Sequence, residues 1–164
     1  MSPDPVLHLL VGPNGAGKTT FAERVLLPTT HLPFVNADGA RTSFVAETVF
    51  SHPSKLALLV EAGRAGYLIA VHVVLIPEDL SVARIAHRVR RGGHAVPEDK
   101  IRGRYARLWT HVADALAMAN ELHVYDNSDA ARPYRLVASY RDGQPVMASD
   151  WPVWAPAELR TLPS

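Results

Sequence analysis

The feature that most constrains this chain is a loop motif between a strand-like and a helix-like segment. Residues 12–19 read Gly-Pro-Asn-Gly-Ala-Gly-Lys-Thr, which fits the pattern G-x-x-x-x-G-K-T. An apolar run at residues 6–11 precedes the motif, and a helix-forming stretch at 20–27 follows it. Glycines in this context let backbone N–H groups converge on one anion at the positive end of the helix. The motif therefore predicts a phosphate-binding loop within an α/β sheet.

The residue types in the loop predict that the anion is a nucleoside triphosphate. Lys18 is placed to reach the β- and γ-phosphates, and the Thr19 hydroxyl is placed to bind Mg²⁺. The predicted binding set is Gly12, Pro13, Asn14, Gly15, Ala16, Gly17, Lys18, Thr19 and Thr20.

Length and composition predict one globular domain over residues 1–164, with 48% hydrophobic and 20% charged residues. The net charge of +1 gives no electrostatic argument for a nucleic-acid or membrane partner. The chain has no cysteine, and its eight histidines show no metal-ligand spacing, so no structural metal is predicted. Without a signal peptide or an apolar run of membrane-spanning length, we expect a cytoplasmic protein.

Strand-like and helix-like segments alternate along the chain, which is typical of a parallel sheet covered by helices on both faces. Asp142-Gly143 between two apolar runs predicts a β-hairpin within the C-terminal segment 128–164. The predicted fold class is thus α/β, a P-loop NTPase with a C-terminal β-hairpin. The predicted strands are 6–11, 34–36, 43–48, 67–76, 121–125, 136–141 and 144–147, and the later helices are 55–65, 81–91 and 97–119.

One connection is too short for this topology. Neighbouring parallel strands need a crossover of about a dozen residues or more, but only residues 37–42 separate the segments 34–36 and 43–48. Either the two segments are not both in the parallel sheet, or a segment is missing between Asp38 and Ser43. A gap, expected between Asp38 and Gly39, would give a Cα separation well above the usual value of about 3.8 Å.

Polar residues at the carboxyl ends of the strands are the candidates for chemistry, because ligands bind there in open α/β sheets. Asp38 follows the segment 34–36 and can accept the proton of an attacking hydroxyl, or can cap the turn at Gly39. Glu47 and Thr48 end the next strand, where they can bind the water ligands of Mg²⁺ or an acceptor. The alternative for both is an exposed strand end.

Arginines form a second candidate group. Arg84, Arg88 and Arg91 are spaced i, i+4 and i+7, which places them on one helix face. Over a triphosphate they would neutralise the charge that develops during phosphoryl transfer, whereas the alternative is a solvated basic face. Arg102 and Arg104 on the next helix are further candidates.

Six segments together resemble the zeta toxin family of P-loop kinases, over about residues 5–128. These segments are Gly-Pro-Asn-Gly-Ala-Gly-Lys-Thr-Thr at 12–20, Val-Asn-Ala-Asp at 35–38, Phe-Val-Ala-Glu-Thr at 44–48, Ala-Gly-Tyr at 65–67, Arg-Gly-Gly-His-Ala-Val-Pro at 91–97 and Tyr-Asp-Asn-Ser at 125–128. Family members carry a helical stretch between the second and third of these segments, and this sequence lacks it.

The resemblance implies that ATP and Mg²⁺ are the cofactors and that a sugar hydroxyl receives the phosphate. In the best-known members the acceptor is UDP-N-acetylglucosamine, and the partner protein that the resemblance implies is an antitoxin. It also implies that Lys18 and Thr19 bind ATP·Mg²⁺ and that Asp38 is the general base. Arginines of a lid segment over the phosphates are implied to bind the transferring phosphate. Asp126 and Asn127 join the predicted ATP-binding set.

Two other functions stay open at this point. One is an ATP-binding and ATP-hydrolysing switch without an acceptor, which needs a group that positions water rather than a base beside an acceptor pocket. The other is a kinase acting on nucleic-acid ends, which requires a basic groove, and the net charge of +1 argues against it.

Overall fold

The computed structural model describes residues 4–33 and 42–164. Within them the chain forms a six-stranded sheet in the order β2-β1-β3-β4-β5-β6. Strands β1 to β4 are parallel, whereas β5 and β6 are antiparallel to their neighbours. The strands are β1 (Val6–Val11), β2 (Phe44–Thr48), β3 (Leu68–Leu75), β4 (Glu121–Asp126), β5 (Arg135–Arg141) and β6 (Gln144–Pro145).

Helices connect these strands, and the first of them starts directly at the end of the loop motif. It runs as α1 (Lys18–Phe21), a π-helical turn (Ala22–Leu26) and α2 (Leu27–Thr30). The remaining helices are α3 (Ser54–Arg64), α4 (Glu78–Arg90), α5 (Glu98–Ala115) and α6 (Ala157–Arg160). None of the helices in the described ranges is long and apolar enough to cross a membrane.

Both faces of the sheet are covered, as the continuous apolar run of β3 predicts. One face carries Leu9, Val71 and Val124, and it packs against α3, α5 and α6 in the larger core. The other face packs against the helix after the loop motif, chiefly through Phe21 and Leu26. The predicted parallel sheet with helices on both faces is therefore confirmed.

A row of three histidines crosses this second face beneath α1. His8, His72 and His123 lie on β1, β3 and β4, with ring centroids 5.4 and 5.6 Å apart along the row. His72 is buried, and its Nε2 lies 3.1 Å from Nδ1 of His8. Burial, together with the two neighbouring imidazoles, lowers the pKa of His72 to about 3. His72 is therefore uncharged in the folded protein near neutral pH.

The C-terminal part of the chain forms the predicted hairpin. Asp142 and Gly143 both adopt left-handed conformations (φ 48° and 76°), which suits the two-residue turn between β5 and β6. The second strand of the hairpin is shorter than the predicted 144–147. Beyond it, Trp151 and Trp154 pack against the larger core.

Three predictions fall partly or wholly on residues 34–41. The strand at 34–36, the position of Asp38 and the gap between Asp38 and Gly39 lie outside the described residues. The next predicted strand is observed as β2, which pairs in parallel with β1 and places Thr48 opposite Val11.

Candidate functional site

The phosphate loop lies at the carboxyl edge of the sheet, and close contacts with neighbouring strands require glycine at two of its positions. A Cβ atom on Gly12 would lie 2.5 Å from the backbone oxygen of Val74 in β3. Gly17 has a φ of 92°, and its Cβ would lie 2.7 Å from Nδ2 of Asn127. The loop therefore packs closely against the ends of β3 and β4.

Side chains from outside the loop hold four successive loop carbonyls from behind. Ser81 Oγ donates to Asn14 O (2.6 Å), Arg84 Nη1 to Gly15 O (3.1 Å), Asn127 Nδ2 to Ala16 O (2.8 Å) and Tyr134 OH to Gly17 O (2.9 Å). Because C=O and N–H point in opposite directions across a trans peptide, holding the carbonyls outward turns N–H groups toward the concave side. This is the arrangement an anion needs.

Ser81 and Tyr134 have no place in the sequence-based prediction, although both contact the loop. Ser81 is fully buried within α4, and Tyr134 lies just before β5. A serine inside a helix and a tyrosine beside a turn carry no local signal for such a contact. Only the tertiary fold brings them to the loop.

Lys18 is buried under the loop that precedes it. Its Nζ donates to the backbone oxygens of Gly12 (2.9 Å) and Pro13 (3.0 Å). The pKa of Lys18 is lowered to about 8, mainly by burial, with Glu47 raising it and Arg88 lowering it to smaller extents. An incoming phosphate would favour the charged form, so the ammonium is poised to pair with it.

Glu47 at the end of β2 reaches the hydroxyl of Thr19. Thr19 Oγ1 donates to Glu47 Oε2 at 3.0 Å. Hydroxyl and carboxylate oxygens are the ligand types that Mg²⁺ prefers, either directly or through its water shell. The residue types of this pair are those of the predicted magnesium site, and their contact joins the end of β2 to the loop.

These groups surround one open cavity of about 560 Å³, within the usual range for small-ligand sites. Its walls are residues 14–20 of the loop and α1, residues 47–49 at the end of β2, and Arg88 of α4. Thr48 also lines it, while its Oγ1 accepts a hydrogen bond from the N–H of Phe50 at 3.0 Å. The cavity thus brings together the loop, the Glu47–Thr48 strand end and one of the three predicted arginines.

The three arginines do not share one environment. Arg88 lines the cavity, whereas Arg84 donates to the backbone oxygens of Gly15 and Asn127 (3.1 and 3.0 Å) behind the loop. Helix α4 ends at Arg90, so Arg91 has left the helix (φ −98°, ψ 16°) and is exposed. It is not among the residues that line the cavity.

Asp126 and Asn127 also lie behind the loop rather than in the cavity. Asp126 is buried; its Oδ1 accepts from the N–H of Ser128 (2.9 Å), and its Oδ2 pairs with Arg135 (3.2 Å). Arg102 is also distant from the cavity, because its guanidinium pairs with carboxylates at the start of α4 and α5. Asp38 lies outside the described residues, so its role stays a prediction.

Most of the chain matches the model of one protein family. The model of the family described as zeta toxin matches residues 34–138, which is more than half of the chain. The chain belongs to the zeta toxin family. The phosphate loop at 12–19 precedes the matched range, so the motif and the family match rest on different residues. No curated protein matches this zeta toxin family chain.

Solved structures confirm the fold of this zeta toxin family member. A crystal structure of AvrRxo1-ORF1:-ORF2 with ATP has 14% identity and a TM-score of 0.64, covering 85% of this chain and 59% of that one. The PezAT toxin–antitoxin system of Streptococcus pneumoniae has 17% identity and a TM-score of 0.61, covering 84% and 73%.

A third match is more partial. The Pnkp1/Rnl/Hen1 RNA repair complex has 19% identity and a TM-score of 0.55, covering 66% of this chain and 45% of that one. At such identities these likenesses show the fold alone. The zeta toxin family chain described here spans about 60% of the length of the AvrRxo1 chains that it matches.

Proposed function

We propose that this protein transfers the γ-phosphate of ATP to a hydroxyl group of a small, nucleotide-sugar-like substrate. The observation that carries the proposal is the convergence of Lys18, Thr19, Glu47 and Arg88 on one cavity above a preformed phosphate loop. Membership of the zeta toxin family supports it, and the AvrRxo1 complex, whose fold this chain shares, was solved with ATP.

Phosphoryl transfer depends mainly on positioned charges, and the cavity supplies them. The ammonium of Lys18 would exchange its two loop carbonyls for phosphate oxygens. Arg88 enters from α4 and would offset charge on the transferring group. Thr19 and Glu47 would hold Mg²⁺, directly or through water, and the bound ion would offset charge on the phosphates.

The transfer also needs a group that accepts the proton of the attacking hydroxyl. We propose the carboxylate of Asp38 for this role. The acceptor oxygen forms a bond to the γ-phosphorus, the bond from that phosphorus to the β-phosphate oxygen breaks, and ADP leaves. The hydroxyl proton passes to the carboxylate, so atoms and charge balance.

The nucleotide-sugar acceptor rests on the family alone, and the protein partner rests on the family and on one structural neighbour. UDP-N-acetylglucosamine is the acceptor that we propose to test first. An antitoxin-type protein is the partner that we propose, because PezAT, which shares the fold, is a toxin–antitoxin system.

The test is a transfer assay with γ-labelled ATP, UDP-N-acetylglucosamine and, separately, a pool of cellular metabolites. We expect a labelled organic product. Lys18→Ala should remove both ATP binding and transfer, because the ammonium contacts phosphates in the ground and transition states. Asp38→Asn should leave ATP binding nearly intact and lower turnover by about 10²–10⁴-fold, the usual effect of removing a positioned base.

Each outcome of this assay separates the candidate functions. Label found only in inorganic phosphate across the whole panel would favour a nucleotide-hydrolysing switch. Label on nucleic-acid ends alone would favour an end kinase. Normal turnover of Asp38→Asn would remove that residue from the mechanism.

A further inference from the structure

A second cavity of about 370 Å³ opens on the other side of α4 from the phosphate loop. The start of α4, the middle of α5 and the segment leading into α6 enclose it. Its walls carry three aromatic side chains, Tyr105, Trp109 and Trp154, and three carboxylates, Glu78, Asp79 and Glu158. The two cavities share no lining residue, so this one is separate from the site of the proposed kinase.

The aromatic walls are held in place by contacts within the protein. Tyr105 OH donates to the backbone oxygen of Ile76 at 2.9 Å, which fixes the end of its ring. The ring of Trp109 meets that of Tyr105 edge-on, with centroids 5.2 Å apart, and Trp109 is only 2% exposed. Trp154 packs against the larger core from the C-terminal segment. The cavity therefore has a preformed aromatic surface.

The carboxylates of this cavity are only partly neutralised. Arg102 pairs with Asp79 (2.9 Å) and Glu78 (3.5 Å), and it also binds Glu98. Glu158, which is partly buried, makes no side-chain hydrogen bond or ion pair within residues 4–33 and 42–164. Burial raises the pKa of the Tyr105 hydroxyl, and the negative charges of Glu78 and Glu158 raise it further. The described residues that line the cavity thus carry three carboxylates and no lysine or arginine.

We propose that this cavity binds a small organic cation, an alkylammonium or guanidinium group on an apolar body. Aromatic ring faces attract such cations, more strongly where water is excluded, and Trp and Tyr are effective partners. Glu158 supplies the opposite charge that Arg102 leaves unpaired. An anion would meet this carboxylate, and a neutral apolar molecule would leave it unpartnered.

The same chemistry can come from two sources, a free quaternary ammonium compound or an arginine side chain of a partner protein. Choline and N-acetylarginine amide represent these sources as probes. The neutral compound 3,3-dimethylbutan-1-ol has nearly the shape of choline without its charge, so it isolates the contribution of the positive charge.

The experiment is an NMR titration of the full chain with each probe, following the indole and ring signals of Trp154 and Tyr105. We expect saturable shifts with at least one cation, with a dissociation constant in the millimolar range. The neutral analogue should bind at least about tenfold more weakly. Tighter binding of choline would favour a free metabolite, and tighter binding of the arginine derivative would favour a partner protein.

A pair of matched variants completes the test. Glu158→Gln should weaken binding of the cation about fivefold or more, because it removes the unpaired charge. Glu61→Gln, the same change at an exposed position of α3, should leave binding unchanged. Equal affinity for the neutral analogue, an unaffected Glu158→Gln variant or the absence of saturable binding would each overturn the proposal. ATP turnover is measured in parallel, so this result is independent of the proposed kinase activity.

Discussion

Arg84→Ala tests whether this arginine acts on the phosphate loop from behind rather than on the phosphate. Its guanidinium donates to the backbone oxygens of Gly15 and Asn127, which joins α4 to the loop and to the end of β4. Hydrogen bonds from a charged donor contribute about 1.5 kcal/mol or more each, and partial exposure of Arg84 reduces this. We therefore expect the free energy of unfolding to fall by about 2–3 kcal/mol.

The measurement is urea unfolding of the protein without nucleotide, followed by a thermal melt. A loss of this size corresponds to a melting temperature lower by about 4–12 °C for a chain of this length. Arg88→Ala is the matched control, because it removes the same side chain one turn later, where it lines the cavity. It should change the free energy of unfolding by less than about 0.5 kcal/mol and lower turnover instead.

The opposite pattern would refute this reasoning. If Arg84→Ala unfolds like the unmodified protein but transfers phosphate slowly, the guanidinium acts on the nucleotide and its two carbonyl contacts are not important for stability. That result would restore the interpretation in which Arg84 and Arg88 share one catalytic face.

Two further predictions follow from the loop and from the histidine row. Gly17→Ala should lower both stability and ATP affinity, because its Cβ would lie 2.7 Å from Asn127 Nδ2. The control is Gly143→Ala, which is also at positive φ but has no atom within 4 Å of its Cβ, so the same melts measure the backbone cost alone. Burial, with a smaller effect of His8, lowers the pKa of His72 to about 3 in the folded protein. As the pH falls below about 6.5, the unfolded chain therefore binds a proton at His72 that the folded protein does not bind. The contribution of His72 to stability is therefore complete above that pH and falls by about 2 kcal/mol between pH 7 and pH 5. His72→Phe should reduce this dependence in urea unfolding, and an unchanged pH profile would contradict it.

The parts of the site that could be predicted from sequence are those set by local pattern. The loop motif determines its own conformation through glycines and the following helix, so Lys18 and Thr19 are found where the motif predicts. Glu47 could be placed near the loop because the carboxyl ends of parallel strands lie at the same edge of the sheet. Its contact with Thr19 follows from the pairing of β2 with β1.

The rest depends on contacts that no local pattern records. Ser81 and Tyr134 meet the loop across sequence separations of 67 and 117 residues. The spacing of Arg84, Arg88 and Arg91 predicts one shared face only while the helix continues, and α4 ends before Arg91. Residues on the same helix face still lie at different positions along the helix, so Arg84 contacts the back of the loop while Arg88 lines the cavity.

The four carbonyl contacts behind the loop have a thermodynamic consequence. Ser81, Arg84, Asn127 and Tyr134 belong to α4, to the end of β4 and to the segment before β5, so the loop keeps its shape only while those elements are in place. A ligand that binds only the formed loop must then stabilise all three, by the reciprocity of linked equilibria. If ATP binds as proposed, local opening becomes slower at sites that the nucleotide never touches, and amide exchange there measures occupancy of the loop.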